Sequence, residues 1–483
     1  MKVAIVGCGI SGANVLKNII EDKKFSKDIY IDVFENSSEL AVGRAYEDDS
    51  LCKILNTPIR HMNINLDNKN EFKNWLEKNY DSLPTYERKI PRPIFGEYAK
   101  DSYKKYINHK NVSIHHSEVK NIFKNKDIFN LETNNKSYGP YQAVFLTIGQ
   151  SYYKDDYNLN AYKNYTANPY PLREKISDIK DNDRIGIIGT GPTAIDIYRY
   201  LRENFDFKNP LYFFTNSTFF ALPEITNHYP KNICSIDDAW VDDHNDEQGF
   251  VKLSDFEKAF RSDFKNASID FDEVYNYYKD NSPELSKKAL EDKDFKLEFC
   301  QSYTLELWYV SSKLYNSFYG QDQIKFREEY LPKIVYLMTK TPAITIEKIL
   351  ADLDAGKIKV IEDTDKINYI EGKFKVATEN NQEFIIDKIY NAQGFEKDLT
   401  KAIENDDLLK NLFNNKLIEA DVNKNINVSY PSYNPLTSKY GQIKNLYLNG
   451  MWTESVDISN NDLRSVLISS EQMAKDFMKN LKS

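Results

Sequence analysis

The apolar positions at the start of this chain fall into short runs that break on glycine. Val3-Ala4-Ile5-Val6 is continuous and apolar, and Gly7-Cys8-Gly9-Ile10-Ser11-Gly12 follows at once. Ala13 to Glu21 is compatible with a helix, and a second apolar run, Ile29 to Phe34, ends on Glu35. Short apolar runs bounded by turn residues read as buried strands. The order is therefore strand, glycine turn, helix, strand, acid, which is the arrangement that seats a dinucleotide. Gly7 permits the tight turn, Gly9 lets the backbone approach a pyrophosphate, and Gly12 lets helix and strand pack closely; Ser11 lies in the same turn. The helix start offers unpaired N–H groups to phosphates. Glu35 is placed to accept hydrogen bonds from an adenosine ribose, which favours FAD or NAD over a 2′-phosphorylated nucleotide.

The pattern then recurs. Ile185 to Ile188 reads as a strand, Gly189-Thr190-Gly191-Pro192-Thr193-Ala194 as the turn, and Ile195 to Leu201 as the helix. The next strand, Leu211 to Thr215, ends in Asn216-Ser217 and carries no acid. That removes the repulsion a 2′-phosphate would feel, and the alanine at the third turn position points the same way. NADP is expected here, with NAD left open because no arginine follows. Two such units imply two dinucleotides and a duplicated or nested domain.

Around these units the reading is coarser. Val42 to Tyr46 and Ile54 to Pro58, with Met62 close behind, form a loop region beside the first strand's carboxyl end. It is either a ligand wall or a surface connection. Phe72 to Tyr80 and Tyr98 to Ile107 are expected helices; Arg92, before the second, is either an anion holder or a surface arginine. Strands are expected at Val112 to His115, from Glu118-Val119 onward, and at Phe129 to Thr133, with a turn at Gly139-Pro140. A buried run from Ala143 ends at Gly149, where small residues let the strand end approach a nucleotide and mark a crossing to a second domain.

From Pro223 to about Gln323 the chain turns polar and acidic, with aromatics such as Phe256, Phe260 and Phe264 at helical spacing. This is read as a helical insertion whose aromatics form a core. Phe326 to Tyr336 and Ala343 to Ala355 are expected helices, the latter stopped by Gly356. Strands follow at Ile358 to Ile361 and Phe374 to Val376. The run from Phe384 to Tyr390 leads to Gly394, a second crossing at which the chain returns to its first domain. Leu446 to Asn449 is a strand ending at Gly450, and Asn461 to Leu481 a closing helix whose first turn could face the first cofactor.

Composition narrows the classes. At 483 residues there is room for two or three domains. A net charge of −9 gives no basic face for nucleic acid. No run nears the ~18 apolar residues of a membrane span, and the clustered glycines argue against a signal peptide. Cys8, Cys52, Cys234 and Cys300 form no C-x-x-C, which fits a reduced, cytoplasmic protein. His115 and His116 would face opposite sides of a strand, and no metal site is expected.

These landmarks resemble the two-dinucleotide flavoproteins, and more narrowly the bacterial FAD/NAD(P)-binding family related to flavin-containing, Baeyer–Villiger and amine N-oxygenating monooxygenases. The resemblance rests on Gly43-Arg44-Ala45-Tyr46, Leu55-Asn56-Thr57-Pro58 with Met62, Pro91 to Tyr98, Gly189 to Asp196, and the run ending at Gly356-Lys357-Ile358. It implies an α/β fold of two Rossmann-like domains: a discontinuous FAD domain (1–165 and 371–483) with an inserted NAD(P) domain (180–370) that itself carries a helical insertion (225–325). It further implies that Gly7, Gly9, Ser11, Gly12 and Glu35 hold the FAD adenosine and pyrophosphate. The Val119 backbone would touch adenine, while Arg44, Asn56 and Met62 would lie nearer the flavin, with Gly149, Gly394 and Gly450 at strand ends beside the cofactors. Gly189, Gly191, Thr193 and Asn216 would serve the nicotinamide nucleotide. Met451 follows Gly450 where the family has an acid.

The activity so implied is an NAD(P)H-dependent FAD monooxygenase acting through a flavin C4a-(hydro)peroxide on O₂ and a small amine or amino acid. Because the cofactor carries the hard chemistry, no nucleophile–base pair is needed. The alternatives are a flavin reductase or dehydrogenase without productive oxygenation, and a non-catalytic FAD-binding regulator.

Overall fold

The computed structural model describes residues 1–82, 89–150, 152–216, 219–226, 232–460 and 462–481. Ser217 and Asn461, both named above, lie outside the described residues. The chain divides into two compact units: residues 1–152 with 395–483, and residues 153–394. The crossings thus fall at 152–153 and 394–395, beside the Gly149 and Gly394 strand ends expected to mark them and away from the 165 and 371 bounds that the resemblance implied. The reason is pairing: Tyr165 pairs with Ile389 in the sheet of the second unit, and the strands between 364 and 391 also belong there.

In the first unit β1 (Lys2–Val6), α1 (Ile10–Glu21) and β2 (Tyr30–Phe34) follow the expected order. The helix begins three residues earlier than its apolar spacing suggested, because the glycine turn itself supplies its first turn. Val42 to Tyr46, read as loop, contains a single helical turn, α2 (Gly43–Tyr46). The helix α3 spans Glu71–Asn79. The next helix, α4 (Arg92–Ile107), starts six residues before the expected Tyr98, with Pro93 in its first turn, where a missing N–H costs nothing. Strand β3 (Val112–His115) comes next, then the antiparallel trio β4 (Val119–Asn125), β5 (Ile128–Thr133) and β6 (Ser137–Tyr141), and then β7 (Ala143–Leu146). The expected turn at Gly139-Pro140 lies inside β6, where Gly139 at φ 136° packs against β5.

The second unit repeats the plan. Strand β8 (Tyr165–Thr166) precedes β9 (Ile185–Ile188), α5 (Pro192–Asn204) and β10 (Leu211–Phe214). A helical insertion follows, running from Asp238 to Met338. Its Phe260 and Phe264, expected in a core from their spacing, pack edge to face with Phe271 and Tyr303 among buried residues. Then come α6 (Ala343–Asp354), β11 (Ile358–Ile361), the antiparallel trio β12 (Thr364–Ile370), β13 (Lys373–Thr378) and β14 (Glu383–Ile386), and β15 (Lys388–Asn391). The apolar run from Phe384 to Tyr390 is therefore two strands: one antiparallel, one parallel, parted at Asp387.

Back in the first unit, α7 (Asp407–Asn414) lies against β4, fastened by Asn411 Nδ2, which donates to the Lys120 carbonyl at 2.8 Å. Strand β16 (Leu446–Leu448) and the long α8 (Leu463–Asn480) complete it.

Among the described residues each unit has one five-stranded parallel sheet, ordered β16-β7-β1-β2-β3 in the first and β11-β10-β9-β15-β8 in the second. In both, the fingerprint strand is flanked by its βαβ partner on one side and, on the other, by the strand that follows the antiparallel trio. Such a sheet is doubly wound, and its strand order reverses at β1 and at β9. Ligands bind beyond the carboxyl ends of strands at that reversal. No helix among the described residues is long and apolar enough to cross a membrane.

Candidate functional site

A cavity of about 650 Å³ opens at the reversal point of the first sheet, a size ordinary for a ligand site. Its floor is the strand ends: Gly7 after β1, Glu35 after β2, Thr147 to Gly149 after β7, and Asn449-Gly450 after β16.

The floor is bare backbone by necessity. Gly7 sits at φ 93°, and a Cβ there would lie 2.3 Å from the Thr147 carbonyl oxygen. A Cβ on Gly12 would lie 2.1 Å from the Gly7 carbonyl oxygen, so only glycine lets α1 pack this closely. Thr147 locks the arrangement, its hydroxyl donating to the Gly7 carbonyl at 2.6 Å. No side chain caps α1 at Gly9, so the N–H groups of its first turn face the cavity with the positive end of the helix dipole. Glu35 is held from both sides: Cys8 N–H donates to Oε2 at 2.7 Å and Ser37 N–H to Oε1 at 2.9 Å. Each carboxylate oxygen keeps a lone pair for a further donor.

The walls add charge. Arg44 and Tyr46 of α2 line the cavity, as do Glu39, Glu47, Asp406 and Asp462. Glu39 is ion-paired to Lys100. Burial raises the Glu47 and Asp406 carboxyls above the usual range, and burial pushes the Tyr46 phenol up to about 12. Burial, helped by the charge of Glu35, pushes the Cys8 thiol up to about 12 as well.

Of the residues singled out from the sequence, Gly7, Gly9, Ser11, Glu35, Arg44, Val119, Gly149 and Gly450 line this one cavity. Gly12 lies beneath it. Asn56 is exposed and Met62 is buried in the helical face of the core, and neither lines it. Arg92 is not a plain surface arginine: its Nε donates to the Ile54 carbonyl at 2.9 Å. Sequence reasoning missed Asn449 and Asp406. The first had a signal, standing next to Gly450 at a strand end; the second had none, because α7 reaches β4 only through the fold.

The second unit carries the other set. Gly189, at φ 107°, repeats the Gly7 relationship, a Cβ there lying 2.7 Å from the Ala392 carbonyl oxygen. Gly189 N–H donates to the Phe214 carbonyl at 2.7 Å, as Gly7 N–H does to Phe34 at 2.8 Å. Gly191 begins α5 with no side-chain cap and open space around it. Thr193 is in the first turn of that helix, Asn216 is exposed just past β10, and Gly394 closes the unit at φ 85°.

A bare backbone cradle at an uncapped helix start, an oriented acid one strand over, and the cavity above them fit FAD in the first unit. A second cradle without an acid fits a nicotinamide dinucleotide in the other.

Residues 4–151 match the family model described as FAD-NAD(P)-binding. The sequence matches none of the curated proteins with which it was compared. Among solved structures, the chain is similar to an FAD-bound cadaverine monooxygenase from Erwinia amylovora (11% identity, 98% of this chain and 93% of that one, TM-score 0.59). It is also similar to an ornithine hydroxylase from Pseudomonas aeruginosa (12% identity, 100% and 99%, TM-score 0.58). A bacillithiol disulfide reductase from Staphylococcus aureus is similar too (12% identity, 100% and 99%, TM-score 0.51). At these identities the likeness is one of fold.

Proposed function

We propose that this chain, whose residues 4–151 match the family model described as FAD-NAD(P)-binding, is an NADPH-dependent FAD monooxygenase acting on a small amine. The observation that carries the reading is the duplication itself. Two units each place a glycine turn at an uncapped helix start, one with an oriented acid beside it and one without. FAD, when bound, supplies a ring that accepts hydride from a nicotinamide and hands electrons to O₂.

The chain's own residues bind and orient. The first turn of α1 receives the pyrophosphate, Glu35 accepts from the ribose hydroxyls, and Val119 and Arg44 flank the two ends. Gly189, Gly191, Thr193 and Asn216 form the corresponding set for NADP. The amine is supported by two of the structures of like fold, a cadaverine monooxygenase and an ornithine hydroxylase.

A reductase that leaves O₂ unused is the second reading, favoured by the like fold of the bacillithiol disulfide reductase. The test is the yield of oxygenated amine per NADPH oxidised, measured with a panel of small diamines and amino acids. Product matching NADPH with one of them supports oxygenation. NADPH oxidation that yields only H₂O₂ with every amine, together with reduction of a disulfide substrate, overturns it in favour of the reductase.

A further inference from the structure

Asn449 and Ser11 are 438 residues apart in the chain and 2.9 Å apart in the fold, with Asn449 Nδ2 donating to Ser11 Oγ. Asn449 is 1% exposed, and its amide has one possible orientation. Gly450 N–H can only donate, and it meets Asn449 Oδ1 at 2.7 Å; the Ser469 hydroxyl meets the same oxygen at 2.9 Å. The NH₂ group is thereby turned toward Ser11 Oγ and the Val466 carbonyl, at 3.4 Å from the latter. The single Ser469 hydrogen is shared between Asn449 Oδ1 and the Ser465 carbonyl, at 2.8 Å, so the Gly450 N–H is the donor that fixes the amide.

The consequence falls on a single hydrogen. A serine hydroxyl has one O–H to give and two lone pairs. One lone pair of Ser11 is occupied by the Asn449 amide, and no described residue accepts from Ser11 Oγ. Ser11 lines the cavity in the first turn of α1, beside the backbone N–H groups read above as the pyrophosphate cradle.

We infer that Asn449 is a positioning residue that fixes the Ser11 hydroxyl as a donor aimed at a pyrophosphate oxygen of FAD. This rests on the proposal that the cavity holds FAD, and it adds a residue from the far end of the chain to the phosphate site. The physical gain is preorganisation: the hydroxyl meets its anion without first being turned.

The test is a double-mutant cycle on FAD affinity, read by quenching of flavin fluorescence in the full-length protein. Asn449→Asp keeps the shape and still accepts from Gly450 and Ser469, but presents an acceptor to Ser11. The serine hydrogen must then turn to the new carboxylate, leaving lone pairs toward the phosphate. With Asn449 intact, Ser11→Ala should weaken FAD binding about tenfold. In the Asn449→Asp background it should cost nothing or regain affinity. A hydroxyl that served packing alone would give the same loss in both backgrounds, and that result overturns the inference.

Should Asn449→Asp fail to fold, Ser11→Thr and Ser11→Ala are compared with Asn449 intact. The hydroxyl-bearing variant should stay within about threefold of wild type and the alanine variant fall about tenfold. Equal affinities for the two overturn the inference. Wild-type protein that takes up no FAD overturns the proposed function and this inference together; FAD bound with additive effects overturns this inference alone.

Discussion

The Cys8 backbone N–H donates to Glu35 Oε2 at 2.7 Å, so the glycine turn after β1 and the acid after β2 are tied together. On the proposed reading, a carboxylate held this way would meet the ribose hydroxyls with little side-chain freedom left to lose. Glu35→Gln keeps one acceptor oxygen and replaces the other with a donor. It should weaken FAD binding about ten- to hundredfold, the worth of a charge-assisted hydrogen bond. Fluorescence titration of the variant checks this, and unchanged affinity would remove Glu35 from the site.

The glycines of the two cradles should respond differently to alanine. Gly12→Ala drives a methyl to 2.1 Å from the Gly7 carbonyl oxygen, and should cost about 3 kcal/mol of stability. Nothing lies within 4 Å of a Cβ on Gly191, whose φ of −76° suits any residue. Gly191→Ala should leave stability within about 0.5 kcal/mol and instead raise the KM for NADPH, since on the proposed reading the methyl would occupy the approach of the phosphates. Thermal unfolding and steady-state kinetics on the pair separate the two effects.

These contrasts show what the sequence made legible. The β1-α1-β2 order could be read because its physics is local: a glycine that permits a turn, an apolar run that must be buried, an acid at the strand end. The repeat at Gly189 was legible for the same reason. The rest depended on contacts between distant segments. Gly139-Pro140 looks like a turn until β5 is laid beside it. Tyr165 looks like the end of the first domain until its pairing with Ile389 assigns it to the second sheet. Asp406, the N-cap of α7, lines the cavity in a fold where Asn411 of that helix is fastened to Lys120. The placing of Met62 near the flavin came from a resemblance; the side chain is buried in the core and does not line the cavity.

Three of the four cysteines should be inert in the native protein. Burial, with the charge of Glu35, pushes Cys8 to about 12; burial also pushes Cys234 to about 12 and Cys300 well up. Because a thiol with a raised pKa stays protonated until the pH climbs through that value, these three should not react with a chromogenic disulfide reagent at pH 8. They should react fully in denaturant. Rapid reaction of Cys8 in the folded protein would favour the reductase reading.

Acid should act on the first unit through Asp398. Burial works against its carboxylate, but hydrogen bonds from Lys424, at 2.6 Å, and Thr400 prevail and hold it down to about 2. A carboxyl lowered in the folded state stabilises fully above its unfolded value of about 4 and loses that contribution as pH falls through about 2. Urea midpoints between pH 4 and pH 2 should therefore fall less steeply in Asp398→Asn than in wild type. Parallel curves would contradict the assignment.

The central claim is that one chain holds a flavin in its first cradle and a nicotinamide nucleotide in its second, and that electrons pass from the second to the first. Anaerobic stopped-flow mixing of FAD-loaded protein with NADPH or NADH tests it most directly. The account predicts bleaching of the bound flavin, saturable and faster with NADPH, with Gly191→Ala raising the concentration needed for half-saturation. Protein that emerges from desalting without flavin, or bound flavin that stays oxidised with both nucleotides, would contradict it.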